Sequence, residues 1–67
     1  MTAPLARGEA LLRLPDVRRR TGLGRSTIYR LIPTGGFPRN FPLGGNRVAW
    51  RESDIDRWIS ERIAAGS

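Results

Sequence analysis

The chain has no cysteine, no histidine and no lysine. Without cysteine, neither a disulfide nor a thiolate metal site can staple the fold. Without histidine, the usual general base and the remaining common zinc ligand are gone. No paired carboxylates stand in an evident pocket pattern, so an enzyme is the poorest functional reading and no cofactor is expected. No apolar run approaches the roughly 18 residues that span a bilayer. The opening MTAPLARGEA lacks the continuous apolar stretch of a secretion signal, so a cytosolic, nucleoid-associated location with no membrane partner is the expectation.

What remains is a 67-residue chain, 39% hydrophobic and 27% charged, a balance that suits a folded domain rather than a disordered segment. One small domain is expected over residues 12–65, after a flexible tail over residues 1–11. Stability must come from close packing of a few Leu, Ile, Val and Trp side chains.

All twelve cations are Arg, and the formal net charge is +6. Two causes of the Arg bias compete: the planar guanidinium fork suits phosphate and guanine, while GC-rich coding favours Arg over Lys. The position of the charge is more telling than its type. Residues 14–32 carry five Arg against one Asp, whereas residues 51–67 carry three Arg against four acids. Basic character concentrated in one segment points to a polyanionic partner.

That segment, LPDVRRRTGLGRSTIYRLI, reads as a short helix, a glycine turn and a second short helix. Leu12 and Leu14 alternate with Arg13 in a brief extended entry, both facing inward. Pro15 suits the first turn of a helix, and Asp16 complements its dipole. Gly22 is placed to take the left-handed position that ends the helix, with Leu23 folding back. On a wheel of about 100° per residue, Leu31 and Ile32 fall at about 300° and 40° from Ile28, one buried stripe. Ser26 and Arg30 fall opposite, at about 160° and 200°, with Thr27 and Tyr29 flanking them and Arg25 to one side.

Pro33, Gly35 and Gly36 end the second helix. Gly44-Gly45-Asn46 then predicts a turn between two short strands, with Phe41, Leu43, Val48 and Trp50 as the inward residues. Pro42 marks the first strand as an edge. Ile55, Trp58, Ile59 and Ile63 recur at helical spacing and predict a final amphipathic helix. The fold class is mainly α with a small β-hairpin, a winged helix-turn-helix.

In sequence order, LRLPDV at 12–17, TGLGRSTIYRL at 21–31, GFP at 36–38, LGGNRVAW at 43–50 and RESDIDRWI at 51–59 resemble the AlpA-like phage regulators and related excisionases. These share a MerR-type winged helix-turn-helix head, and the resemblance runs from about Leu12 to Ile63. It implies that the second helix is a recognition helix and the hairpin a wing. Arg25, Ser26, Thr27, Tyr29 and Arg30 would then face double-stranded DNA, with Arg47 on the wing. Gly24 stands where family members often have Ser, and Asn40-Phe41-Pro42 replaces a more usual polar run.

Physically, Arg30, and Arg25 at the helix start, suit guanine O6 and N7, while Ser26 and Thr27 suit phosphates or base edges. Tyr29 fits two descriptions equally: a ring capping the core edge, and a hydroxyl reaching a phosphate. Arg18, Arg19 and Arg20 span about 200° of the first helix, so they cannot all face DNA; Arg18 and Arg19 are the candidates for phosphate contact. Arg47 is placed either to enter a narrow minor groove or to stand in solvent beside the turn.

The expected function is sequence-specific DNA binding for a mobile element. An excisionase, or recombination directionality factor, would bind and bend attachment-site DNA for an integrase. A small transcriptional regulator would bind a promoter. The chain has neither an effector domain nor a long heptad helix, which inclines the reading to excision and to a monomer in free solution that binds beside further copies of itself on DNA. A basic module that binds an acidic protein is the alternative of another class. An RNA-binding role needs exposed aromatic rings, and only Tyr29 is an obvious one.

Overall fold

A computed structural model describes residues 10–66. In chain order the elements are β1 (Leu11–Leu12), α1 (Leu14–Thr21), α2 (Arg25–Leu31), a 3₁₀ turn (Ile32–Thr34), β2 (Phe41–Gly44), β3 (Arg47–Arg51) and α3 (Glu52–Ala65). This is the winged helix-turn-helix the sequence predicts. Of the expected tail over residues 1–11, residues 1–9 lie outside the described residues. Ala10 and Leu11 are tied to the domain: Ala10 O accepts from Glu52 N at 2.9 Å, satisfying a free donor at the start of α3, and Leu11 pairs with Arg51.

Each helix starts and stops for a local reason. Pro15 and Asp16 occupy the first turn of α1. Gly22 ends it at φ 75°, its N–H donating to Arg18 O at 2.8 Å. Thr21 Oγ1 donates to Val17 O at 2.8 Å and accepts from Leu23 N at 3.3 Å, which fixes the turn. A Cβ at Gly22 would meet no neighbour, so Gly22→Ala carries only the cost of the left-handed backbone, about 1–2 kcal/mol. Thermal unfolding should show that loss, whereas Gly24→Ala, at φ −81°, should escape the left-handed term.

The core consists of Leu12, Val17, Ile28, Phe37, Trp50 and Ile55, with Leu14, Leu23, Leu31, Ile32, Val48, Trp58 and Ile59 packed around it. Ile28, Leu31 and Ile32 are thus the buried stripe that the wheel gives for α2. Ile63 departs from expectation: the helix is amphipathic only through Ile59, and Ile63 is 67% exposed near its end.

The wing also departs from the expected two-stranded hairpin. β1 joins it, giving a three-stranded antiparallel sheet in the order β1-β3-β2, with β2 at an edge as Pro42 requires. Phe41 pairs with Ala49, Pro42 with Val48 and Gly44 with Arg47, so Leu43 is an extra residue in a bulge. That register puts Pro42, rather than Phe41, on the face of Val48 and Trp50. A shift of one residue turns every side chain over. Phe41 and Leu43 accordingly stay exposed, and Ala49 is buried in their place. Phe41 is covered on one side by the Arg51 guanidinium, 5.1 Å from its ring centroid.

Two indole N–H groups fix the segment between the 3₁₀ turn and β2. Trp58 Nε1 donates to Gly36 O at 2.7 Å, and Trp50 Nε1 to Pro38 O at 2.9 Å. Phe37 sits between these anchors, 3% exposed. This brings the base of the wing against the end of α2.

Candidate nucleic-acid interface

α2 carries the centre of the site. With Ile28 fully buried, Arg25, Ser26, Tyr29 and Arg30 stand exposed, while Thr27 is half-buried. Ser26 and Arg30 are one helical turn apart on the outward ridge and project together. Gly24 precedes the helix and supplies no side-chain cap. Tyr29 is 38% exposed, and its ring caps the edge of the core, the first of its two expected descriptions. Its ring meets Trp50 edge-to-face at 6.3 Å between centroids, and its hydroxyl reaches the surface, where Asn40 Nδ2 donates to it at 3.3 Å.

The three Arg of α1 separate as the helix geometry demands. Arg20 turns toward α3 and pairs with Glu52 at 3.0 Å and Asp56 at 3.7 Å. It clasps α1 to α3 and neutralises acids there. Arg18 and Arg19 remain exposed on the side of the helix-turn-helix turn, where a shallow depression of about 470 Å³ is lined by Pro15, Arg18, Arg19, Gly22, Leu23 and Gly24. Arg19 also pairs with Asp16 one turn before it. That pair is exposed and its screening by solvent leaves it weak, so the guanidinium is readily exchanged to another anion.

Arg47 follows the Gly45-Asn46 turn and is exposed at the tip of the wing. Among the described residues, Arg18, Arg25, Arg30 and Arg47 are in no ion pair. The acids of α3 stand elsewhere: Asp54 and Glu61 line an open groove of about 410 Å³ with Phe37, Arg39, Phe41 and Trp58. No charged or polar side chain is buried among the described residues. Arg18, Arg25, Arg30 and Arg47 can therefore meet a polyanion without first breaking an ion pair among the described residues.

Sequence reasoning misses two participants. Asn40 lies in an irregular segment, and nothing in the local pattern shows that it reaches Tyr29, eleven residues away. The Arg20 clasp is equally non-local; the only signal is that three successive helical cations cannot share one face.

Comparison with known proteins agrees with this architecture. Residues 10–63 match the family model described as prophage CP4-57 regulatory protein (AlpA). The chain is 47% identical over 64 residues to an uncharacterized protein, ORF88, of Enterobacteria phage P4, an alignment that spans 96% of this chain and 73% of the phage protein. It is 40% identical over 58 residues to the DNA-binding transcriptional activator AlpA of Escherichia coli, spanning 78% of this chain and 83% of that protein.

Proposed function

The chain belongs to the AlpA family of phage regulatory proteins, and on that premise we propose that it is a sequence-specific double-stranded-DNA-binding regulator of a mobile element. One observation carries the reading: α2 exposes Arg25, Ser26 and Arg30, α1 exposes Arg18 and Arg19 and the wing exposes Arg47, and of these cations only Arg19 is in an ion pair among the described residues. α2 enters the major groove with Ser26 and Arg30 toward base edges and Thr27 at the margin. Arg18 and Arg19 hold phosphates beside it.

Arg47 takes the adjacent minor groove or its phosphates. Arg47→Ala is then expected to weaken binding several-fold and to make the log–log salt dependence shallower by about one. Unchanged affinity across a salt titration would remove the wing from the interface.

The E. coli relative's name, a DNA-binding transcriptional activator, supports regulation at a promoter over the excisionase role to which the sequence inclines. Selection from random duplexes, followed by footprinting on the source genome, tests both levels. One enriched motif, repeated near a promoter, with transcription altered on its deletion, is the expected result. A footprint inside an attachment site, with altered excision by an integrase, would transfer the same binding to recombination. Weak binding without sequence preference, beside a tight protein complex, would instead favour the basic interaction module.

A single module of this size buries roughly 600–1,000 Å² of protein surface on DNA. Repeated sites occupied by several copies, each a monomer in free solution, supply the rest of the specificity. Light scattering of the free protein checks the monomer, and a clear dimer would contradict it.

A further inference from the structure

Arg25 and Tyr29 stand at about 60° and 100° round α2 from buried Ile28. They lie on one flank of the helix, beside the outward ridge of Ser26 and Arg30. The surrounding contacts hold them there. Tyr29 abuts Trp50, whose indole is tied to Pro38 O, and the Arg25 guanidinium lies over the Tyr29 ring at 5.4 Å from its centroid. Asn40, at the entry to the wing, donates to Tyr29 Oη.

That hydrogen bond sets the polarity of the hydroxyl. Oη accepts from Asn40, and its own O–H meets no acceptor among the described residues. Asn40 keeps a second amide hydrogen, and Arg25 is in no ion pair among the described residues. Guanidinium, phenol O–H and amide N–H thus form one group of donors with a single positive charge. Arg39, the residue before Asn40, lines the α3 groove with Asp54 and Glu61 instead.

We propose that Arg25, Tyr29 and Asn40 form one seat for a DNA backbone phosphate, on the strand that passes between α2 and the wing. The inference rests on the DNA-binding reading above and adds Asn40 to the interface. It also moves Arg25 from base reading to backbone holding. A backbone phosphate both accepts and carries negative charge, which matches an all-donor set with one positive charge, whereas guanine O6 and N7 accept but carry no charge. Base reading is left to Ser26 and Arg30.

The test uses the full chain with two duplexes of equal length, one selected from random sequence pools and one arbitrary, each titrated over a range of salt. Tyr29→Phe keeps the ring contacts and removes only the hydroxyl. It should weaken both duplexes by the same factor, about tenfold, with the salt slope unchanged because no charge is lost. Arg25→Ala should weaken both equally and make the slope shallower by about one. Asn40→Ala should weaken both equally with the slope unchanged. Thermal unfolding of Tyr29→Phe should match the parent protein. A loss confined to the selected duplex would make these residues base readers and overturn the proposal, as would unchanged affinity in Tyr29→Phe. Failure of the unsubstituted protein to bind either duplex would overturn the DNA-binding reading and the seat with it.

Discussion

Phe37→Ala is expected to destabilise the domain by about 3–5 kcal/mol, the range for truncating a buried aromatic ring. The ring is 3% exposed and meets Trp50 and Trp58 edge-to-face, with centroids 6.4 and 5.0 Å away. Its neighbours Gly36 and Pro38 are each held by an indole N–H, so the segment cannot easily close over the gap. A domain of this length has a total stability of about 3–10 kcal/mol. The variant should therefore lose from about a third to all of its stability, and α2 should lose support through Trp50 and Tyr29. Urea unfolding checks this, with Phe37→Leu as the volume-sparing control that should retain most of the stability. A loss below about 1 kcal/mol would show that the segment packs on the surface and is not part of the core.

The importance of Phe37 is not legible locally, and the reason is general for this chain. The features that can be read along the sequence depend on near neighbours. Gly22 stops α1 because only glycine takes that backbone cheaply, Ile28, Leu31 and Ile32 share a helical face, and Pro42 confines β2 to an edge. The features that cannot be read depend on residues far apart. A two-residue strand such as β1 has no periodicity to detect, and its partner, β3, lies some forty residues on. The bulge at Leu43 decides the register of the wing, and nothing in Phe41-Pro42-Leu43 states on which residue it falls. The same division holds at the site. The exposure of Ser26 and Arg30 follows from the wheel alone, but Arg20 is engaged because Glu52 and Asp56 are folded against it, and Asn40 joins Tyr29 only in three dimensions.

Arg30→Ala is expected to cost about 1–3 kcal/mol on the selected duplex, roughly a 5- to 150-fold loss of affinity, with little change on an arbitrary duplex. The expectation follows from its position. Arg30 lies one turn after Ser26, opposite Ile28, and is exposed without an ionic partner among the described residues. No ion pair among the described residues has to be broken before its fork meets guanine O6 and N7. The substitution removes no core atom, so thermal unfolding should scarcely change, which separates a binding loss from a folding loss. Preference should relax at one or two base pairs of the selected site. Arg30→Lys should not restore it, because an ammonium keeps the charge but lacks the planar pair of donors. Equal weakening on both duplexes, restored by lysine, would instead assign Arg30 to a phosphate and leave Ser26 as the reader on that ridge.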